Sequence, residues 1–271
     1  MTQSVRYWQS LTTMEARDAA AADPVVILPL AAVEQHGPHL PLDTDRIIGD
    51  GLIEEAFRQL PETFPAWALP AITVGASGEH AAFAGTLSLE AETLIQCICD
   101  HGRAVAATGI RRLVLSNSHG GNRAAMDVAA LRLRRECGLL VVKANYFRFP
   151  QPDPPVLDPH ELRHGLHGGA LETAMMLHLA PAAVRQEHLF RAVSLGETLE
   201  RDCAYLGPES AGAFAWLAED LNMAGVTGDA SRADAGTGAR LVAHFGGVLA
   251  ALIQEARHFP LGALGGRTPA G

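Results

Sequence analysis

The segment RLVLSNSHGGN, residues 112–122, decides the fold class of this 271-residue chain. Its first half, Arg112 to Asn117, is a short apolar run that ends in polar and glycine residues, which predicts a buried strand. Residues 123–137 follow with a helical pattern. A buried strand, a short loop and a helix make one unit of an α/β fold.

The same unit recurs on either side of this segment. Residues 24–30 (PVVILPL) predict a strand that is followed by a helix at 47–60, and residues 139–144 predict another strand. Such alternation is typical of a mostly parallel sheet with helices on both faces. The other predicted elements are a strand at 69–74, a helix at 90–108 with Ser88 as its N-cap, a helix at 170–179, loops with one short strand over 195–238, and a helix at 240–257.

Length and composition favour one domain over residues 1–271. A chain of this size that is 48% hydrophobic can bury one large core, which we expect at about residues 20–258, with a frayed tail at 260–271. Five prolines within residues 149–160 exclude a regular helix there and leave an extended, stiff segment. This segment is either a lid over a pocket or a subunit contact.

The charge and the distribution of apolar residues exclude several classes of protein. A net charge of -9 with 21 scattered basic residues argues against a nucleic-acid surface, which needs clustered Lys and Arg. No apolar run reaches the roughly 18 residues of a membrane span, and residues 1–22 lack a signal-peptide layout. Four cysteines are too few for a disulfide scaffold. We therefore expect a cytoplasmic enzyme without membrane or nucleic-acid partners.

Side chains of metal-ligand type stand where predicted strands end or helices begin. In open α/β sheets such positions meet at one edge, where ligands bind. Carboxylates and imidazoles form a mixed oxygen and nitrogen shell that suits Zn²⁺ or Mn²⁺, and two such ions point to hydrolysis by an activated water. A single His at a strand end is more often solvated than a ligand, and Asp43 competes with Asp45 for a bridging role. The candidate ligands are Glu34, His36, Asp45, His119 and Glu172.

Four motifs occur in an order that resembles the creatininase family, the creatinine amidohydrolase-like metal hydrolases. Together they cover about residues 25 to 240. The resemblance implies a three-layer α/β/α fold, a centre of two divalent metal ions and a hexamer built from dimers. The motifs are EQHGPHLPLDTD at 34–45, Glu79-His80 with Gly85-Thr86, SNSHGGN at 116–122, and HGGALET at 167–173.

The resemblance also implies a division of the ligands between the two metals. Glu34, Asp45 and His119 resemble the ligands of one ion, while His36, the bridging Asp45 and a second carboxylate hold the other. In creatininase that carboxylate stands two residues after the strand-end histidine, where this chain has Gly121. We expect Glu172 to supply it, because its neighbours are apolar or small and a buried carboxylate needs a partner.

The same comparison predicts catalytic and substrate-binding residues. His167 resembles the family's proton-transfer histidine, and a histidine suits that role because its unperturbed pKa is near 6.5. Glu172 is expected to act beside it, and His80 to contact the substrate. Backbone amides at Gly120 and Gly121 are expected to approach the substrate or its oxyanion. Arg163 stands where creatininase has a pocket tryptophan, which favours an anionic or strongly polar substrate over creatinine.

The sequence therefore predicts a homo-oligomeric amidohydrolase that cleaves the C–N bond of a small cyclic or linear amide. Three alternatives stay open. The first is a hydrolase or isomerase of a cyclic ketone or sugar-like substrate, since two metals also stabilise enediolates. The second is a peptidase that trims a peptide in cofactor maturation, and the third is a metal-binding protein without turnover.

Overall fold

The computed structural model describes residues 4–265, and a four-stranded parallel sheet forms its centre. The strands are β1 (Val25–Leu30), β2 (Ala66–Ala68), β3 (Arg112–Asn117) and β4 (Leu140–Asn145), in the spatial order β2-β1-β3-β4. All three strand pairings are parallel. The carboxyl ends of the four strands consequently lie at one edge of the sheet.

Helices and short outer strands complete the described part of the chain. The short strands pair in two small ribbons, β5 with β8 and β6 with β7. The helices are α1 (Thr13–Ala21), α2 (Thr44–Gln59), α3 (Ala91–Ala107), α4 (Arg123–Cys137), α5 (Pro159–His164), α6 (Ala170–Leu179), α7 (Leu195–Leu199), α8 (Ala218–Leu221) and α9 (Ala235–His258), and the strands are β5 (Arg191–Ala192), β6 (Leu206–Gly207), β7 (Gly212–Ala213) and β8 (Gly228–Asp229).

The two faces of the sheet are covered by different helices, which gives the predicted α/β/α layers. Leu28 and Leu115 pack with α3 and α4 on one face. Ile27 and Val114 pack with α2 and α9 on the other. Helix α6 joins α2 and α9 through Met175 and its neighbours. Alternate residues of one strand point to opposite faces, so a strand buried on both sides reads as a continuous apolar run.

The strand predicted at residues 69–74 lies upstream of that range, at β2. Leu69 still donates from its backbone N to the carbonyl of Ile27, and Ile72 to that of Pro29. Pro70 stands between them, and a proline lacks the N–H that a continuous ladder needs. The ladder is therefore interrupted where an apolar pattern alone suggests a strand.

The predicted N-cap at Ser88 is also wrong. Helix α3 begins at Ala91, after Glu90, whose side chain makes no capping bond. The hydroxyl of Ser88 instead accepts a hydrogen bond from the backbone N of Ser77, at 2.9 Å. Ser88 thus fastens the loop that carries Glu79 and His80.

Two helices begin earlier than their patterns predicted. Helix α2 begins at Thr44, which places Asp45 in its first turn. Helix α9 begins at Ala235, because the side chain of Asp234 accepts a hydrogen bond from the backbone N of Thr237 at 2.9 Å. Residues 195–238 contain α7, α8 and three two-residue strands rather than loops with one strand.

The proline-rich segment 149–160 is extended up to α5 and lies against α9. His244 and Arg240 donate hydrogen bonds to the carbonyls of Pro150 and Pro154, at 2.9 and 3.0 Å. In the expected tail, Leu261–Leu264 form a 3-10 turn, and residues 266–271 lie outside the described range. Among the described helices, α9 has the length and composition to cross a bilayer, but Phe245 and its neighbours pack into the core.

Candidate metal centre

The carboxyl edge of the sheet gathers the predicted ligands. Glu34 and His36 follow β1, and His119 follows β3 with one serine between them. Asp45 enters from the first turn of α2 and Glu172 from the first turn of α6. The sequence set of five residues is therefore brought together.

One group of donors consists of Glu34, Asp45 and His119. All three side chains are buried, and their ligand atoms lie within 4.8 Å of one another. Nδ1 of His119 is 3.1 Å from Oε1 of Glu34 and 3.4 Å from Oδ2 of Asp45. This is the set that the family resemblance assigned to one ion.

A second group contains His36, His167 and Glu172, again with ligand atoms within 4.8 Å. Nε2 of His36 lies 3.9 Å from Oε2 of Glu172 and 3.5 Å from Oδ1 of Asp45. Asp45 thus directs one oxygen to each group, the geometry required of a bridging carboxylate.

Hydrogen bonds to backbone carbonyls fix the orientation of three imidazoles. Nδ1 of His36 donates to the carbonyl of Glu34, Nε2 of His119 to that of Ala76, and Nε2 of His167 to that of Gln35. A carbonyl only accepts, so the other nitrogen of each neutral ring carries a lone pair that faces the cluster. Metal-bound histidines are oriented in this way.

The donor set fits divalent cations. Four buried atoms have no hydrogen-bond partner within residues 4–265, namely both carboxylate oxygens of Glu34, Nε2 of His36 and Oδ2 of Asp45. Buried polar atoms are almost always satisfied, so four partnerless atoms that converge require a partner of another kind. Their mixture of carboxylate oxygen and imidazole nitrogen suits a borderline divalent ion.

The electrostatics of the cluster also favour added positive charge. Burial opposes protonation of His36 and His119, yet the neighbouring carboxylates outweigh it, and the pKa of His36 rises to about 9 and that of His119 to about 10. Burial and the charge of Glu34 raise the pKa of Asp45 to about 6. The protein without metal therefore holds protons where cations would bind.

Two other residues that the sequence analysis considered lie on the surface, outside the cluster of donors. Asp43, the competitor of Asp45, pairs with Arg46 on the surface of α2. The side chain of Arg163 is 61% exposed and pairs with Glu200. Arg163 therefore lies on the surface rather than among the buried donors, and its contact with a substrate stays a prediction.

The glycine pair and His80 lie beside the cluster. Gly120 is exposed, and the space next to it is open. A Cβ on Gly121 would collide with the Ala76 carbonyl, with Glu79 and with Nε2 of His119. His80 is buried, with its Nε2 3.6 Å from Oε1 of Glu34.

Two residues that support the cluster were not predicted from the sequence. The hydroxyl of Tyr146, just after β4, donates to Oε1 of Glu172 at 3.2 Å, and the backbone N of Gly168 donates to Oε2 at 2.6 Å. Glu79 lies behind His119, with Oε1 3.6 Å from Nε2 of that ring. A position directly after a buried parallel strand is the signal that could have identified Tyr146.

Comparison with known proteins identifies relatives of this chain. The family model described as "Creatininase: Creatinine amidohydrolase" matches residues 9–253. The mycofactocin precursor peptide peptidase of Mycobacterium tuberculosis is 40% identical over 173 residues, which is 62% of this chain and 63% of that protein. This match thus spans less than two thirds of the relative. The peptidase of the same name from Mycolicibacterium smegmatis is 31% identical over 243 residues, 88% of each chain.

A solved structure named "Creatininase Mn" has a TM-score of 0.73 and 25% identity, and covers 94% of this chain and 99% of its own. Fold and site together define an α/β/α protein whose sheet edge carries a donor set that fits divalent metal ions. The family match over nearly the whole length makes the assignment specific. The chain belongs to the creatininase family.

Proposed function

We propose that this protein hydrolyses the C–N bond of an amide and that it holds two divalent ions, Zn²⁺ or Mn²⁺. The observation that carries the proposal is the convergence of three buried carboxylate oxygens and one imidazole nitrogen that have no hydrogen-bond partner among the described residues. Glu34, Asp45 and His119 would hold one ion, and His36, Asp45 and Glu172 the other. When bound, such ions polarise a carbonyl and lower the pKa of water toward neutrality.

Within this reaction His167 is the residue that moves the proton. Burial and the adjacent His36 lower the pKa of His167 to about 4, so the ring is neutral. Its Nε2 proton is committed to the Gln35 carbonyl at 2.6 Å, which leaves Nδ1 free as a proton acceptor. Acting as a base, Nδ1 would take a proton from the attacking water and pass it to the departing amine.

A peptide is the substrate class that the relatives support best. Two proteins named as mycofactocin precursor peptide peptidases match this chain at 40% and 31% identity. The chain also differs from creatininase at two sites, Gly121 and Arg163, for which creatininase has a glutamate and a tryptophan. We therefore place peptide trimming ahead of creatinine hydrolysis, with a cyclic ketone or sugar-like substrate as the remaining alternative.

The decisive experiment presents the metal-loaded protein with short peptides, creatinine and other cyclic amides, formamides and cyclic ketones. Release of amine and carboxylate is measured for each compound. We expect cleavage of peptides at a terminal or near-terminal bond. Cleavage of cyclic amides alone would replace the peptide by a creatinine-like substrate, and conversion of ketones without amide cleavage would contradict the proposed function.

The ligand assignment is tested separately by substitution. His119→Ala removes the nitrogen that faces Glu34 and Asp45, so we expect loss of one of two ions in elemental analysis. His178→Ala, at an exposed position on α6, is the matched control and should keep both. Two ions retained by His119→Ala would refute the assignment.

We further propose a cytoplasmic homo-oligomer, a hexamer as in the family. Light scattering coupled to size-exclusion chromatography measures its mass directly. A monomeric mass at micromolar concentration would contradict this part of the proposal.

A further inference from the structure

His80 is a fourth buried imidazole at the centre, and its role depends on where its proton lies. Its ring lies against that of His167, with centroids 4.2 Å apart and the planes tilted by 34°, and its Nε2 faces Glu34. Glu34, His80 and His167 also form a third group with metal-ligand spacing. A lone pair on Nε2 would make His80 a ligand, whereas a proton there would make it a hydrogen-bond donor.

The side-chain amide of Gln35 determines whether Nε2 of His80 carries a lone pair or a proton. Its nitrogen lies 2.6 Å from the Gly225 carbonyl and 2.8 Å from Nδ1 of His80, and its oxygen accepts from the backbone N of Gly37 at 2.9 Å. The reversed amide would set its oxygen against the carbonyl of Gly225 and its NH₂ against the N–H of Gly37. The observed orientation is therefore the one that satisfies all three contacts.

Both hydrogens of the Gln35 amide are thereby assigned, one to Gly225 and one to His80. Nδ1 of His80 must accept, so the proton of the neutral ring is on Nε2. An imidazolium would place an N–H against the amide NH₂.

We infer that Gln35 is a positioning residue that locks His80 as a neutral N–H donor facing Glu34, and that His80 is not a metal ligand. With metal bound and all four rings neutral, the centre would contain three inward lone pairs, on His36, His119 and His167, and one inward N–H. A neutral imidazole N–H among carboxylates can stabilise negative charge that develops on a substrate oxygen. This last role rests on the proposed hydrolysis, while the protonation of His80 does not.

The direct test is the nitrogen spectrum of the histidine rings. The protein is labelled with ¹⁵N in histidine, and long-range proton–nitrogen correlations are recorded with and without bound zinc at about pH 7. The His80 signals are assigned by their absence in His80→Asn. We expect the Nε2–H form in both spectra. An Nδ1–H form or an imidazolium would overturn the inference.

Gln35→Glu tests the role of the amide. A carboxylate only accepts, so Nδ1 of His80 should then carry a proton in the spectrum. We expect kcat to fall by about 10- to 100-fold, with KM nearly unchanged. Gln186→Glu, an exposed glutamine, is the control and should match the parent.

Failure of this inference differs from failure of the proposed function. If the spectrum shows the Nε2–H form of His80 but no compound is hydrolysed, the proposed reaction is refuted and the role of Gln35 in fixing the His80 proton still stands. An unchanged His80 spectrum in folded Gln35→Glu refutes the lock whatever the activity. If Gln35→Glu does not fold, the spectrum of the parent protein still decides.

Discussion

At the scale of single residues, backbone carbonyls orient the imidazole rings of the donor cluster. Carbonyls of residues 34, 35 and 76 accept the outer N–H of three imidazoles and so fix which nitrogen faces the cluster. No side-chain substitution removes these acceptors. Substitution can therefore change only the ligands themselves, the Gln35–His80 pair and the side chains packed behind them.

Gly121 is the residue at which the smallest change should disturb the centre. A methyl group there would overlap the Ala76 carbonyl, Glu79 and the ring of His119. We expect Gly121→Ala to displace His119 and to lower the affinity for one metal by about 10-fold or more, measured by competition with a chelator. Gly120→Ala is the matched control because its neighbourhood is open. Equal affinities in the two variants would contradict this account.

At the scale of elements, loops of different strands are tied to one another. Asn122 is buried, and its side chain donates to the Ala31 carbonyl at 3.1 Å and accepts from the backbone N of Ala76 at 2.9 Å. It therefore connects the loops after β1, β2 and β3. Glu161 on α5 does the same for a later region, since it accepts from the backbone N of Ala170 at 2.6 Å and of Asp229 at 2.8 Å.

Glu161 should consequently be important for stability. Its carboxylate is buried against Gly165, Gly169 and Gly228, at each of which a Cβ would collide with it. Glu161→Gln replaces one acceptor oxygen by an NH₂ that faces a backbone N–H. We expect the free energy of unfolding to fall by about 2 kcal/mol, measured by chemical denaturation. The control Glu62→Gln changes an exposed glutamate and should leave it unchanged.

If Glu161→Gln retained the stability of the parent, the two backbone hydrogen bonds would not be what holds the start of α6. Metal content offers a second measurement. Because α6 carries Glu172, the variant should also lose affinity at the site of His36 and Glu172.

At the scale of the whole molecule, stability and metal binding are linked through protons. In the unfolded chain His36 and His119 titrate near about 6.5. In the folded protein without metal their pKa values are about 9 and about 10. A histidine whose pKa is higher in the folded protein than in the unfolded chain stabilises the fold fully at pH values below the unfolded pKa. This stabilisation is lost as the pH rises through the folded pKa.

We therefore expect the chelator-treated protein to lose thermal stability between about pH 6.5 and about pH 10. The melting temperature, measured by calorimetry, should fall across this range. Metal-loaded protein is the control, and its melting temperature should fall less because its imidazoles bind metal as neutral rings. Parallel curves for the two forms would show that these protons are not linked to folding.

Much of the fold followed from local patterns in the chain. The apolar runs predict β1, β3 and β4 to within one or two residues, and the helical pattern at residues 170–179 matches α6. The errors fell where a local rule was overridden. Pro70 interrupted a ladder that hydrophobicity predicted, and Ser88 bonded to a distant loop instead of capping the nearest helix. Residues 195–238 lack strong periodicity, and their short elements depend on contacts with the rest of the protein.

The α/β class and the set of candidate oxygen and nitrogen donors follow from the amino-acid sequence, because strand ends and motif spacing are local properties of the chain. The choice between Asp45 and Asp43 stayed open on the residues alone, and the folded protein places Asp45 among the donors and pairs Asp43 with Arg46 and Arg163 with Glu200. It also decided which nitrogen of each imidazole faces inward. These outcomes depend on burial and on hydrogen-bond acceptors more than a hundred residues away in some cases, as for His167 and Gln35, and no local pattern encodes them.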